Sequence, residues 1–168
     1  SGDFYWIIEK DDLTFVACAD CTGHGVPGAL MSMIGNTILN QLVLEKNIAS
    51  PDQILNELHV AVRQALKQDV GGDTRDGMDI SLCVLNKSTG TLQYAGANRA
   101  LWIIRDGQLL ETKADKFSIA GDQQELNRRF TLHTIAVQDS DIIYLTTDGY
   151  ADQFGGPKGK KFMVKKLH

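Results

Sequence analysis

Residues 19–33, ADCTGHGVPGALMSM, lead from an apolar segment through a glycine-rich loop into a helical segment, and the rest of the chain is organised around them. The preceding residues 15–19, FVACA, form a short apolar run typical of a buried strand, and Pro27 suits the first turn of a helix. Asp20 is therefore predicted at the end of a strand. The loop glycines permit backbone conformations that suit either a loop folded around an ion or phosphate or a tight strand-to-helix turn. The loop by itself does not decide between the two.

The length and charge of the chain restrict its class. Its 168 residues, 18.5 kDa and 43% hydrophobic content predict one domain, residues 1–168, with a core of its own. A net charge of −4 and a pI near 5.5 argue against a nucleic-acid partner and against contact with an anionic membrane. No apolar run is long enough to span a bilayer and no signal peptide is recognisable, so we expect a soluble domain.

The chain contains three cysteines, an odd number that cannot build a disulfide framework. This favours a reducing compartment, and the cytoplasm is the expected location. Cys18 and Cys21 have the spacing of a redox or zinc pair, but Cys18 falls in the apolar strand and Cys83 has no second pair to complete a zinc site. We therefore expect structural thiols, with a redox pair as the alternative.

Two helices are predicted after the loop. The first starts at Pro27 and has a predicted buried face made of Leu30, Met33, Ile34, Ile38 and Leu42. The second starts at Ser50-Pro51-Asp52-Gln53, whose residue types predict a capping box. Its predicted buried residues are Ile54, Leu55, Leu58, Val62, Ala65 and Leu66, and the neighbouring His59 is expected to be a partly buried surface histidine without a functional role.

The remaining chain alternates predicted strands and turns. Strands are expected at 4–9 and 13–19 as a hairpin, at 80–85, 92–95, 101–104 and 109–110 as an antiparallel meander, and at 130–137 and 141–147. Residues 70–77, VGGDTRDG, are expected to form a flexible loop, and the basic end GPKGKKFMVKKLH a loop that leads into a helix.

Carboxylates fall at the predicted strand ends. Asp3, Asp20 and Asp148 each lie at a strand terminus, and Asp76 and Asp79 flank the start of another strand. Carboxylates that converge repel one another unless a cation neutralises them, and oxygen ligands select hard ions such as Mg²⁺ or Mn²⁺. The alternative is that each Asp is a turn or cap residue, as is common at such places.

Five motifs in order make the chain recognisable. These are SGDFY (1–5), DCTGHGVPGALMS (20–32), DGMDISLCVLN (76–86), YAGANRALW (94–102) and LTTDGYADQFGG (145–156). Together they resemble the bacterial SpoIIE-type branch of the metal-dependent (type 2C, PPM) protein serine/threonine phosphatases. Each motif is weak by itself, but their order and spacing over nearly the whole chain are specific.

The resemblance implies an α/β (α+β) sandwich of two packed, mainly antiparallel β-sheets flanked by α-helices, with two Mn²⁺ or Mg²⁺ ions between the sheets. It matches Asp3, Asp20 and Asp148 to acidic metal ligands, Cys21 to a backbone-carbonyl ligand, and Asp76 to a weaker third-ion position. Asp20 and Asp148 are also the expected catalytic residues, because in this family a water activated between the two ions attacks phosphorus without a covalent enzyme intermediate.

The sequence also departs from the family pattern. Members of the family extend beyond the equivalents of Ser1 and His168, and a later strand supplies a further Asp ligand, so we expect a domain truncated at both ends. Relatives with a shorter DGHGG loop have a His proposed as general acid; in the DCTGHG loop here, His24 either corresponds to that acid or braces the loop. In GANRA, Ala97 replaces the Asp of the related GDSRA motif, and Arg99 is expected to be structural, with phosphate binding as the alternative.

The resemblance also implies partners. The expected substrate is a phosphoserine or phosphothreonine on a regulatory protein, such as an anti-sigma-factor antagonist, and the expected neighbour in the full-length protein is an upstream sensor or receiver domain. Another domain could anchor that protein to a membrane, and a homodimer is compatible with the sequence. The alternative function is a catalytically weak phosphatase-like domain that binds phosphoproteins or dimerises; the intact visible ligand set favours the enzyme.

Overall fold

The computed structural model describes residues 2–68, 75–121, 128–151, 154–155 and 160–161. In chain order the elements are β1 (Phe4–Lys10), β2 (Leu13–Cys21), α1 (Val26–Asn40), α2 (Pro51–Ala65), β3 (Gly77–Asn86), β4 (Thr91–Ala97), β5 (Leu101–Arg105), β6 (Gln108–Thr112), β7 (Ile119–Ala120), β8 (His133–Ala136), β9 (Ile142–Tyr144), α3 (Asp148–Ala151), β10 (Phe154–Gly155) and β11 (Lys160–Lys161). One π-helical turn, Gln41–Glu45, continues α1.

The predicted sandwich is confirmed. The larger sheet has the order β1-β2-β3-β4-β8, with β7 paired to β3, and the smaller one has the order β6-β5-β9. Strand pairs in both sheets are antiparallel. One apolar cluster joins α1 and α2 to the larger sheet through residues such as Phe15 and Leu55, and a second cluster around Tyr94 and Ile103 joins the two sheets. Helices therefore cover one face of the larger sheet and the smaller sheet covers the other.

The predicted buried face of α1 is partly wrong. Leu30 and Met33 are 54% and 66% exposed, whereas Met31 is buried together with Gly35, Ile38 and Leu39. Apolar residues lie on nearly every side of this helix, so periodicity does not select the buried face. Close packing at Gly35 selects it, because an added Cβ there would lie 2.9 Å from Met78 Cε.

In α2 the predicted start is correct but the capping box does not form. The Ser50 hydroxyl donates to the Asp52 carboxylate and caps no backbone N–H group. Ala65 is exposed, contrary to prediction. His59 is fully buried instead of partly buried, and its Nδ1 accepts a hydrogen bond of 3.0 Å from the Ala120 amide. This histidine therefore ties β7 to the helix.

Two further strand predictions are corrected. The expected single meander is divided, because β3 and β4 belong to the larger sheet while β5 and β6 belong to the smaller one. The strand expected at 141–147 is shortened to β9, and two of its three residues, Ile142 and Tyr144, are exposed. Most of the predicted 70–77 loop, and the predicted basic C-terminal loop and helix apart from short backbone segments, lie outside the described residues.

The three thiols are free. Cys18 and Cys21 are an odd number of residues apart on β2, so their side chains point to opposite faces of the sheet and cannot form a pair. In the described part of the chain, no helix is both long and apolar enough to cross a membrane.

Candidate metal centre

Three predicted carboxylates converge at one end of the sandwich. Asp3 precedes β1, Asp20 is the penultimate residue of β2, and Asp148 begins α3. One carboxylate oxygen of each lies within 4.8 Å of those of the other two. The β1–β2 hairpin brings the first two residues to the same sheet end, since Phe4 pairs with Ala19.

The TDG segment is held against Asp3. Thr147 Oγ1 donates a hydrogen bond of 2.9 Å to Asp3 Oδ2, and the Gly149 amide donates to the same hydroxyl at 3.3 Å. A Cβ on Gly149 would lie 2.8 Å from Asp3 Oδ2, so a side chain there would crowd that carboxylate. These contacts explain why threonine and glycine flank Asp148.

Arg99 places a positive charge among these carboxylates. Its guanidinium pairs directly with Asp20 Oδ2 and lies 3.4 Å from Asp148 Oδ2 and 3.8 Å from Asp79 Oδ2. The side chains of Arg99 and Asp20 are only 19% and 16% exposed. Asp79 lies directly opposite Asp20 in the β2–β3 ladder.

The electrostatics show that one arginine does not neutralise the cluster. Burial, together with a hydrogen bond that protonated Asp20 donates to Asp3 and the negative charges of Asp148 and Asp3, raises the pKa of Asp20 to about 7, while the Arg99 charge opposes this shift. An ionised Asp20 is therefore costly in the metal-free fold. Additional positive charge at the cluster would remove that cost.

The other predicted site residues lie apart from this cluster. Asp76 accepts a hydrogen bond of 3.1 Å from Thr22 Oγ1, and it is not one of the three converging carboxylates. The Cys21 side chain is buried in the core beneath the helices, where burial raises the pKa of its thiol to about 12. Only its backbone carbonyl is suited to the role that the resemblance implies. His24 is exposed in the loop.

Sequence reasoning named Asp79 among the strand-end carboxylates without matching it to a ligand position, and it expected Arg99 to be structural. Strand alternation agrees with the position of Asp79, because it lies on the same face of β3 as Ser81, opposite the buried Met78 and Ile80. Arg99 gave no comparable signal, since it lies between β4 and β5 and its contact with Asp20 spans 79 residues. Only the folded chain brings these groups together.

The residues present fit a hard divalent cation. The converging side chains offer only oxygen atoms, which Mg²⁺ and Mn²⁺ prefer, and no described His or Cys side chain joins them. The raised pKa of Asp20 is the behaviour expected of a carboxylate in a group that needs a cation to neutralise it.

Comparison with known proteins identifies the family. Residues 10–167 match the family model described as Stage II sporulation protein E (SpoIIE). The chain belongs to the SpoIIE family. Among solved structures, the SiaA-PP2C domain of Pseudomonas aeruginosa is 30% identical with a TM-score of 0.84, over 99% of this chain and 63% of that one. None of the curated protein sequences compared matches the chain significantly.

Two more distant structures share the fold. The PP2C phosphatase domain of SpoIIE from Bacillus subtilis, solved with a fragment of its regulatory domain, is 16% identical with a TM-score of 0.70, over 92% of this chain and 43% of that one. RsbX in complex with magnesium is 21% identical with a TM-score of 0.61, over 99% of this chain and 76% of that one. The chain covers less than two thirds of the SiaA-PP2C chain. It is a SpoIIE-type domain of the PP2C class.

Proposed function

We propose that this SpoIIE-family domain is a metal-dependent protein serine/threonine phosphatase in bacterial signalling. The observation that carries the proposal is the convergence of Asp3, Asp20 and Asp148 within 4.8 Å. Asp20 and Asp148 would hold two Mn²⁺ or Mg²⁺ ions together with Asp3 and the Cys21 carbonyl, and Asp76 would serve a third, weaker position. When bound, such ions activate water as a nucleophile and neutralise phosphate oxygens.

The chain's own residues prepare this site. Asp20 lies near the end of β2, where its backbone pairs with Asp79 of β3, so its carboxylate needs little reorganisation to act as a ligand. The Thr147–Asp3 hydrogen bond ties the loop that carries Asp148 to the first strand. A rigid arrangement of this kind favours in-line attack on a phosphate ester, because the reacting groups are oriented before the substrate arrives.

The proposal is tested by phosphate release from a phosphoserine peptide and from a generic aryl phosphate, with EDTA or with Mn²⁺. We expect release only with the metal and its loss in Asp20→Asn. Equal rates in EDTA and Mn²⁺, or an unchanged rate in the variant, would contradict the proposal.

We further propose that the substrate is a phosphorylated regulatory protein of the anti-sigma-factor-antagonist kind and that a sensor or receiver domain acts upstream. The B. subtilis relative, solved with part of its regulatory domain, supports such an architecture. Incubation of phosphorylated candidate proteins with the domain and Mn²⁺, read by mass spectrometry, tests the substrate. Hydrolysis of the aryl phosphate without dephosphorylation of any such protein would contradict this assignment.

The exposed side of α1 favours a second candidate, a protein-binding or dimerisation module. Val26, Leu30 and Met33 are exposed along one side of the helix, and Leu44 follows in the π-helical turn. Sedimentation of the wild-type domain and of Leu30→Ser tests it, because self-association through this face would weaken in the variant.

A further inference from the structure

The side chain of Arg99 is placed at the carboxylate cluster by a rigid backbone. Its carbonyl accepts hydrogen bonds from Tyr94 Oη at 2.5 Å and from Ser81 Oγ at 2.8 Å. Both donors are fully buried. The backbone of Arg99 is therefore fixed, while the long side chain reaches outward to the cluster.

Gly96 completes this support. A Cβ on Gly96 would lie 2.0 Å from Tyr94 Oη and 2.6 Å from the Arg99 carbonyl oxygen, distances that no packed side chain adopts. Asn98 takes a positive φ of 57° and donates a hydrogen bond of 2.9 Å to Asp79 Oδ1. The YAGANRA segment is thus built so that the residue after Asn98 faces the carboxylates.

The guanidinium has donor capacity that its present contacts do not use. Within the described part of the chain, Arg99 Nε is buried and has no hydrogen-bond partner. The edge formed by Nε and one terminal nitrogen is the pair of donors with which arginine binds two oxygens of a phosphate at once. The ion pair with Asp20 holds the side chain at the cluster and leaves the buried Nε donor without a hydrogen-bond acceptor in the described part of the chain.

We propose that Arg99 is the residue that binds the substrate's phosphoryl group at this site. In the metal-free protein the charge of Arg99 offsets the carboxylates. With cations bound, the carboxylates would hold the guanidinium less strongly, and its Nε edge would then bind the phosphoryl oxygens. The anchored carbonyl keeps the backbone in place during this change of partner. This role rests on the proposed metal-dependent phosphatase function and adds a specific phosphate ligand to it.

The test separates metal binding from phosphate binding. Mn²⁺ is titrated calorimetrically into the wild-type chain, Arg99→Met, Arg99→Lys and Arg105→Met, and the affinity of each Mn²⁺-loaded protein for inorganic phosphate is read from paramagnetic broadening of the ³¹P resonance. Arg105 pairs with Asp141 at 2.6 Å, outside the cluster, and serves as the matched control.

We expect Arg99→Met to bind Mn²⁺ at least as tightly as wild type, because the guanidinium no longer competes for the carboxylates. The variant should bind phosphate about 10- to 100-fold more weakly, the loss typical of charge-assisted hydrogen bonds. Arg99→Lys keeps the charge but not the two-donor edge, so an intermediate loss is expected. Arg105→Met should match wild type.

Unchanged phosphate affinity in Arg99→Met would overturn the role of Arg99 while leaving the metal centre in place. If Arg99→Met does not fold, unchanged affinity in Arg99→Lys would overturn the two-donor contact. Absence of Mn²⁺ binding by the wild-type chain would overturn the proposed function, and the role of Arg99 with it.

Discussion

The substitution Asp20→Asn removes the carboxylate whose ionisation is most costly in the metal-free fold. Burial and the neighbouring carboxylates raise its pKa from 3.8 to about 7. A shift of roughly 3 units corresponds to about 4 kcal/mol at 1.36 kcal/mol per unit. Solvent screening at this partly exposed group reduces the figure to about 2 kcal/mol. We therefore expect the variant to be more stable than wild type without metal above pH 7, by about 4–8 °C in Tm for a domain of this size.

The pH dependence follows from the direction of the shift. A raised pKa means that the folded protein binds more protons than the unfolded chain between about pH 4 and 7, so the wild-type free energy of unfolding falls as pH rises through this window. The asparagine side chain of the variant does not titrate. The stability advantage of Asp20→Asn should therefore be small near pH 4 and reach its full size above pH 7.

The assay is thermal or urea unfolding at pH 5 and 8, in EDTA and in Mn²⁺. At a free Mn²⁺ concentration of 100 times the dissociation constant, the free energy of unfolding of the wild type should rise by about 2.7 kcal/mol, and that of the variant by much less. Asp139→Asn, a change at an exposed turn residue, is the control. A variant less stable than wild type in EDTA at pH 8 would refute the reasoning, since the Asp20–Arg99 pair would then be a net structural support.

Three further predictions use other parts of the fold. Gly96→Ala should lower Tm strongly and weaken Mn²⁺-dependent activity. Adding Tyr94→Phe should restore part of the stability, because it removes the oxygen that lies closest to the new Cβ; no recovery in the double variant would contradict this. Arg105→Met should destabilise the fold at neutral pH. Arg105 and the Gln138 amide hold the pKa of Asp141 at about 2, so the difference in free energy of urea unfolding between wild type and variant should vanish as pH falls from about 4 toward 2. A difference that stays constant with pH would argue against the ion pair. Leu58→Ala should lower the free energy of unfolding by about 2–5 kcal/mol, as expected for a fully buried leucine. If α2 transmits regulation to the site, the variant should also change the Mn²⁺ dependence of turnover. A change in Tm alone would mean that the helix serves the core only.

Local patterns predicted much of this architecture. The hairpin before Asp20, the two helices and most strands of the larger sheet were predictable, because alternation, helical spacing and turn residues depend on neighbouring positions. The Asp-Gly turn between β5 and β6 is also a local signal, and the structure has it at Asp106 and Gly107. The boundaries differ by a few residues where pairing with other strands extends or shortens an element.

The family and the convergence of Asp3, Asp20 and Asp148 were also predictable from sequence, because these residues belong to motifs with characteristic order and spacing. Their action as metal ligands stays a prediction. The hydrogen bond between Asp76 and Thr22 joins distant parts of the chain and has no local signal, and the role of Asp76 at a third ion also stays a prediction.

Sequence by itself therefore determined the order of elements, the strand-end placement of the acidic residues and the membership of the SpoIIE family, all of which depend on short-range patterns and motif spacing. Only the tertiary structure decided that α1 buries Met31 instead of Met33, because that choice depends on the fit of Gly35 against Met78. It also decided that Arg99 joins the carboxylates, because this requires the β2–β3 register that sets Asp79 opposite Asp20 and two buried hydroxyls that fix the Arg99 backbone. Contacts between residues so far apart in sequence follow from packing of the whole chain and leave no local pattern to read.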